Sequence, residues 1–79
     1  MKYQAIARTL GTTYTSHPEN TEQAAVESIM NKLPNRVRYS DVALIIERVY
    51  DAYYLNPVPH THTVTYISRV STLAEYFGE

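Results

Sequence analysis

The segment that decides the fold runs from Asp41 to Tyr54 and reads DVALIIERVYDAYY. As a helix it would carry an apolar stripe at three- and four-residue spacing, formed by Val42, Ile45, Ile46, Val49 and Tyr53. As a strand it would present one face through alternate residues, namely Val42, Leu44, Ile46, Tyr50, Ala52 and Tyr54. β-Branched residues crowd its first half and tyrosines its second half, and both types favour strands. We therefore predict a strand, and a helix over about 41–55 remains the alternative.

The N-terminal residues also alternate. Tyr3, Ala5, Ala7 and Thr9 alternate with mainly polar neighbours, and a second β-rich run, residues 12–16, follows Leu10-Gly11. This period of two predicts a hairpin, or one long strand that bends at Gly11. A short helix from Tyr3 to Leu10 is the competing interpretation, because Tyr3, Ile6, Ala7 and Leu10 have helical spacing.

One helix is expected between these two regions. Asn20 is a good N-cap residue, and Gln23 three positions later completes a capping-box pattern. The apolar stripe that follows consists of Ala25, Val26, Ile29, Met30 and Leu33. Pro34-Asn35 ends the pattern, which places the helix at about 20–33.

The C-terminal third begins with a proline turn at Asn56–His60. Residues 61–70 then alternate as a strand does, and residues 71–78 resemble a short helix that Gly78 stops. The whole chain therefore predicts an α+β fold in the order β-β-α-β-β-α, one antiparallel sheet with one main helix, as a single domain over 1–79. An all-α four-helix domain is the alternative if 41–55 is helical.

Composition excludes several classes of function. The 79 residues carry seven Lys/Arg and eight Asp/Glu, a net charge of −1, with 44% apolar residues and no cysteine. Disulfides and Cys-ligated metals are therefore excluded, and the balanced charge argues against a polybasic membrane binder or a nucleic-acid coat. No apolar run is long enough to span a membrane, and the N-terminus has no signal-peptide pattern. We expect a cytoplasmic protein without a membrane partner.

The alternation assigns residues to the two faces of the predicted sheet. The helix-facing side is expected to hold Tyr3, Ala5, Ala7, Leu44, Ile46, Tyr50, Val64, Tyr66 and Val70. The other side is expected to hold Gln4, Ile6, Arg8, Ile45, Glu47, Val49, Asp51, Tyr53, Thr63, Thr65, Ile67 and Arg69. One helix cannot cover both faces, so the second face should expose an apolar centre with a charged rim.

Such a patch on a small protein indicates an interaction surface. The predicted partner-binding residues are Arg8, Ile45, Glu47, Val49, Asp51, Tyr53, Ile67 and Arg69. The alternatives are that the C-terminal helix covers the patch, or that a second copy of the chain pairs with it in a homodimer. Among the tyrosines, we expect Tyr3, Tyr50 and Tyr66 in the core and Tyr39 and Tyr53 as surface anchors.

Catalytic chemistry has little support in the sequence. Adjacent pairs such as Ser16-His17 do not make a triad, and a chain with two glycines has no glycine-rich phosphate loop. His60 and His62 would share one face of a strand, the beginning of a metal site that lacks an identifiable third ligand. We therefore predict a non-enzymatic protein without cofactor or bound metal.

A nucleic-acid module is a second hypothesis. Lys32, Arg36 and Arg38 cluster after the main helix, and Tyr39 could stack on a base. This basic loop, residues 32–39, is small in an otherwise balanced chain, so nucleic acid is the less favoured partner.

Met1-Lys2-Tyr3 leads into a strand, a turn follows at Leu10-Gly11, and a helix starts at Thr21–Ala25. In these features the chain resembles small phage-encoded inhibitors, including anti-CRISPR and host-takeover proteins. The resemblance is a likeness of size and element order, which carries no specific motif, and the chain lacks the strongly acidic surface of the nucleic-acid mimics in this group. The resemblance implies steric inhibition of a host protein complex, such as a defence nuclease or a polymerase.

Overall fold

The elements follow one another in the predicted order, β-β-α-β-β-α, in a computed structural model that describes residues 1–78. The strands are β1 (Lys2–Thr9), β2 (Thr12–Thr15), β3 (Ala43–Tyr54) and β4 (His60–Thr72), and the helices are α1 (Glu22–Met30) and α2 (Leu73–Tyr76). The strands form one antiparallel sheet in the order β2-β1-β3-β4. The fold is therefore α+β, and the all-α alternative is wrong.

β1 and β2 form a hairpin with a two-residue turn. Thr9 pairs with Thr12, and both turn residues have positive φ, 52° at Leu10 and 75° at Gly11. Two consecutive residues of positive φ are typical of the type I′ turn, whose twist matches that of the strands. The chain therefore reverses at Leu10-Gly11, which excludes both the single bent strand and the short helix over Tyr3–Leu10.

Leu10 is a poor residue for its position, and replacing it should stabilise the hairpin. Its side chain is 81% exposed, so it contributes little burial, while its left-handed backbone is disfavoured for leucine. Leu10→Asn should raise the free energy of unfolding by about 0.5–1 kcal/mol, because asparagine tolerates this conformation. Urea denaturation measures the change, and an unchanged or lower midpoint would contradict it.

The N-cap of helix α1 lies one residue later than predicted. The Thr21 hydroxyl accepts a hydrogen bond from the Ala24 N–H at 3.0 Å, so Thr21 is the N-cap. Asn20 is engaged elsewhere, since its side-chain oxygen accepts a 2.6 Å hydrogen bond from Lys2 Nζ. The helix ends at Met30, and Leu33 packs against the core from the following turn.

The core lies between α1 and one face of the sheet, which we call the helix side. Ala5 and Ala7 on β1 let the helix approach closely, and Leu44 and Ile46 on β3 fill the space beside them. The buried cluster comprises Ala5, Ala7, Ala25, Val26, Ile29, Val42, Leu44, Ile46 and Leu73. Leu73 belongs to α2, so both helices cover the same side of the sheet.

A β-bulge interrupts the pairing of β3 with β4. Ile46 pairs with Arg69, and the next residue, Glu47, pairs with Ile67, so Ser68 has no partner on β3. The Ser68 hydroxyl instead donates a 2.8 Å hydrogen bond to Glu22 Oε1 at the start of α1. The extra residue shifts the alternation of β4 by one position on its C-terminal side.

The β3–β4 hairpin extends past the rest of the sheet. β1 ends at the Lys2–Val49 pair, so residues 50–64, which we call the arm, form two strands and a loop without a third strand beside them. The protein is 49 Å long, and its radius of gyration is 14.6 Å. A compact chain of this length would have a radius of gyration of about 12 Å. The arm therefore stands away from the packed body.

Candidate protein-binding surface

The side of the sheet opposite α1, which we call the open face, carries an apolar row across three strands. Ile6 on β1 pairs with Ile45 on β3, which pairs with Val70 on β4. Directly opposite residues of an antiparallel sheet point to the same side, so these three side chains are neighbours. The next row places Gln4 and Glu47 beside Ile67.

The two helices leave this face uncovered. α2 contributes Leu73 to the core on the helix side, so the predicted alternative that the C-terminal helix covers the patch is wrong. Val70 is 70% exposed and Ile67 is 66% exposed, while Ile6 and Ile45 are half-buried between their neighbours. The open face therefore presents β-branched apolar side chains directly to solvent.

Charged residues of both signs surround the apolar row. Arg8 and Lys2 are exposed on β1, and Glu47 is half-buried on β3. Asp51 lies farther out on the arm, where its carboxylate accepts a 3.3 Å hydrogen bond from the Thr63 hydroxyl. The structure thus brings Arg8, Ile45, Glu47 and Ile67 onto one face, as the alternation predicts.

Two face assignments on β4 are wrong, and the bulge at Ser68 is the reason. Arg69 pairs with buried Ile46, so it lies on the helix side, where its guanidinium sits 5.3 Å from the centre of the Tyr76 ring. Val70 takes the place on the open face that the sequence assigned to Arg69. A strict period of two cannot reveal an inserted residue, so the sequence pattern placed both residues on the wrong side.

Two other predicted contact residues are poorly placed. Val49 is 9% exposed and lies beside Met1, Lys2 and Pro18, so it is not an accessible anchor. Tyr53 is 66% exposed but belongs to the arm, eight residues beyond Ile45. At about 3.3 Å per residue, roughly 26 Å separate them along the strand. The predicted set therefore does not form one continuous patch.

An aromatic surface that the sequence pattern predicts to be in the core lies at the base of the arm. Tyr50 and Tyr66 lie on the helix side but are 37% and 55% exposed, because the hairpin extends beyond α1. Their rings stack with centroids 5.6 Å apart, and Met1 and Arg48 line the same groove. The neighbouring Tyr66 side chain, together with partial desolvation, raises the pKa of Tyr50 above its ordinary value. Tyr3 does pack against the core, as predicted.

His60 and His62 lie on the arm. The His60 and His62 rings meet edge to face with centroids 4.6 Å apart, and Tyr54 stacks on His60 at 5.5 Å. Within residues 1–78, no three His, Cys, Asp or Glu side chains come together in a group that could hold a metal ion. His60 and His62 form an aromatic cluster with Tyr54.

The basic loop is not assembled into a single site. Lys32 Nζ donates a 2.6 Å hydrogen bond to the Thr15 carbonyl, which directs it towards β2. Tyr39 is half-buried and packs against Phe77 with ring centroids 5.7 Å apart, so it is not the free surface anchor that the sequence predicts. Arg36 and Arg38 remain exposed on the loop.

Comparisons with known proteins identify no relative of this chain. No protein-family model matches it, and neither a curated protein nor a solved structure is similar enough to be significant. In the described part of the chain, residues 1–78, no helix has the length and apolar character needed to cross a membrane.

Proposed function

We propose that this protein is a small, non-enzymatic binding domain whose open face binds a partner protein. The observation that carries the proposal is the apolar row of Ile6, Ile45 and Val70, extended by Ile67, in which Val70 and Ile67 are exposed and Ile6 and Ile45 are half-buried. Exposed patches of this kind on small domains mark protein-interaction sites, because each buried apolar side chain stabilises the complex by about 1.5–3 kcal/mol.

The charges around the row favour a protein partner over a polyanion. Arg8 and Lys2 lie at one side and Glu47 near its centre, so the face presents both signs. A surface that binds phosphates would concentrate Lys and Arg along one path, with a strongly salt-dependent affinity. Mixed charges instead set the orientation and association rate of a protein complex.

The mechanism in this proposal is steric. A rigid sheet covers the surface of its partner, and the arm extends the blocked area beyond the contact itself. The resemblance to phage inhibitors agrees with this mode of action, and it suggests a host protein complex as the target. The basic loop supports a nucleic-acid function less well, because Tyr39 is packed against Phe77 and Lys32 is bonded to the Thr15 carbonyl.

The test is a capture experiment with two matched charge substitutions. Val70→Asp places a carboxylate in the apolar row, and Leu10→Asp places one at the β1–β2 turn, where Leu10 is 81% exposed against 70% for Val70. Each variant is immobilised alongside the wild-type chain, and proteins retained from a host lysate at moderate salt are identified. The partner is then purified and titrated against all three by calorimetry.

We expect the partner to bind the wild type and Leu10→Asp equally, and Val70→Asp at least tenfold more weakly, a difference of about 1.4 kcal/mol. Equal binding to all three chains would refute the open face as the binding surface. Failure of the wild type to retain any protein would refute the binding-domain proposal. Circular dichroism checks that Val70→Asp remains folded, as expected for a residue 70% exposed.

A further inference from the structure

A second interaction surface is the free edge of β4. β4 is the last strand of the sheet, with β3 on one side and no strand of residues 1–78 on the other. It is 13 residues long, which leaves an extended row of backbone groups at the edge. This edge is distinct from the open face, because it offers backbone N–H and C=O groups instead of side chains.

The hydrogen bonds of the sheet identify which backbone groups point outwards. The Tyr3 N–H donates to the Glu19 carbonyl, so the backbone groups of odd residues of β1 point away from β3 and those of even residues point towards it. The even residues of β1 pair with odd residues of β3, so the odd residues of β3 form their backbone hydrogen bonds with β1. The even residues of β3 form theirs with β4. The Leu73 N–H donates to the Val42 carbonyl at 2.9 Å, in agreement with this pattern.

The pairing of the arm carries this pattern onto β4. Even residues of β3 from Arg48 to Tyr54 pair with even residues of β4 from Tyr66 to His60. The even residues of β4 before the bulge therefore bond to β3. The backbone groups that face outwards belong to Thr61, Thr63, Thr65 and Ile67.

This edge lacks the protection that exposed edge strands ordinarily have. Proteins usually discourage strand addition with charged residues, prolines or very short edge strands. The opposite edge, β2, has four residues, whereas residues 60–67 of β4 contain neither a charge nor a proline. Arg69 is the one charged residue of β4, and it lies beyond the bulge at Ser68.

The size of the exposed surface also favours association. The solvent-accessible area of the protein is 5473 Å². A compact monomer of 9.1 kDa would expose about 4,900 Å². The excess, roughly 600 Å², is surface that the extended shape leaves in solvent, and it is of the same order as the roughly 800 Å² that each partner contributes to a standard interface. A two-stranded arm is also marginal in water on its own, and neighbouring strands would stabilise it.

We propose that two copies of this chain form a symmetric dimer by pairing their β4 edges antiparallel, centred on Val64. A two-fold axis at Val64 sets Thr63 opposite the partner's Thr65 and Thr61 opposite the partner's Ile67. All four outward-facing residues of each chain then find partners, with about eight new backbone hydrogen bonds. The two sheets join into one continuous sheet with the arms side by side.

The side chains fit this register. The axis brings Thr63 beside the partner's Thr65 on the open face and His62 beside the partner's Tyr66 on the other side. Threonine pairs and aromatic pairs are favourable across antiparallel strands, and no like charges meet. The net charge of −1 per chain adds little repulsion. The packed bodies lie at opposite ends of the paired arms, which avoids a clash.

The first test removes one outward-facing N–H group. Thr65→Pro deletes the backbone N–H of residue 65, which points away from β3, and leaves the hydrogen bonds between β4 and β3 intact. Strands tolerate proline at edge positions of this kind. The matched control is Thr65→Val, which keeps the N–H group and the β-branched shape. Masses are measured by size-exclusion chromatography with light scattering, and dissociation constants by sedimentation equilibrium.

We expect wild type and Thr65→Val to have twice the 9.1 kDa chain mass, and Thr65→Pro to have the mass of one chain. Because the dimer is symmetric, Thr65→Pro removes two hydrogen bonds per dimer, one from each chain, so the dissociation constant should rise roughly 100-fold. Circular dichroism verifies that Thr65→Pro retains its sheet. A monomeric wild type would overturn the proposal, as would a Thr65→Pro variant that is folded and dimerises as tightly as wild type.

The second test examines which residues face each other across the dimer, using a single introduced cysteine, since the natural chain has none. Val64 would face the partner's Val64 as a non-hydrogen-bonded pair, with Cα atoms about 4.5 Å apart, which a disulfide can bridge. His62 is the control, because the two copies of His62 would lie about 13 Å apart along the strands. We expect mild oxidation to cross-link Val64→Cys and not His62→Cys, and the reverse result would overturn the register.

The dimer and the proposed partner binding can fail independently. Val70→Asp alters a side chain on the open face outside the paired segment, so it should weaken partner binding and leave the dimer mass unchanged. Thr65→Pro alters the edge and keeps the apolar row of Ile6, Ile45 and Val70. Each variant therefore reports on one surface.

Discussion

Ile46→Ala should destabilise this protein more than an isoleucine-to-alanine substitution at an exposed position. Ile46 is completely buried between β1, β4 and the core residues of α1. Removing three carbon atoms there loses burial and leaves a cavity, at a cost of about 2–5 kcal/mol. A chain of this length has a total stability of about 4–12 kcal/mol. The variant should therefore be partly or largely unfolded at 37 °C.

The matched control is Ile67→Ala, which deletes the same atoms from a side chain that is 66% exposed. Its effect should stay within about 0.5 kcal/mol. Urea denaturation of both variants at one protein concentration measures the difference, because self-association makes the midpoint depend on concentration. Equal losses of stability in the two variants would contradict the placement of Ile46 in the core and Ile67 on the open face.

Removing the arm should leave a folded body. Residues 51–63 contribute no side chain to the buried cluster, which lies between α1, α2 and the base of the sheet. We expect a variant with Asn-Gly in place of 51–63 to fold, because Tyr50 and Val64 already pair and this dipeptide forms a tight hairpin turn. Small-angle scattering should give a radius of gyration of about 11 Å for this variant, against near 14.6 Å for Thr65→Pro, the arm-containing chain that we expect to be monomeric.

The same truncation tests the role of the arm in association. It removes Thr61 and Thr63, so the β4 edges would lose half of their outward-facing groups and the dimer should dissociate. The comparison is Thr65→Pro, which dissociates the dimer in our proposal while keeping the arm. An arm-truncated chain that no longer gives the circular dichroism of a folded sheet would show that the arm contributes to the stability of the body.

Local patterns in the sequence determined the identity and order of the elements. β-Branched residues and tyrosines in 41–54 make a strand because their side chains suit a pleated surface, and the structure has β3 there. The apolar stripe after Asn20 predicted α1, although the N-cap is Thr21. Alternation along β1 and β3 placed Ala5, Ala7, Leu44 and Ile46 under the helix, as found.

The candidate surfaces depended on pairing between distant segments, which the sequence does not display. The bulge at Ser68 exchanges the faces of Arg69 and Val70, because one unpaired residue shifts the alternation of everything after it. The β3–β4 hairpin extends beyond α1 and leaves Tyr50 and Tyr66 exposed, although their positions in the alternation match those of core residues. Face and exposure are set by what lies opposite each residue, and only the tertiary structure decides that.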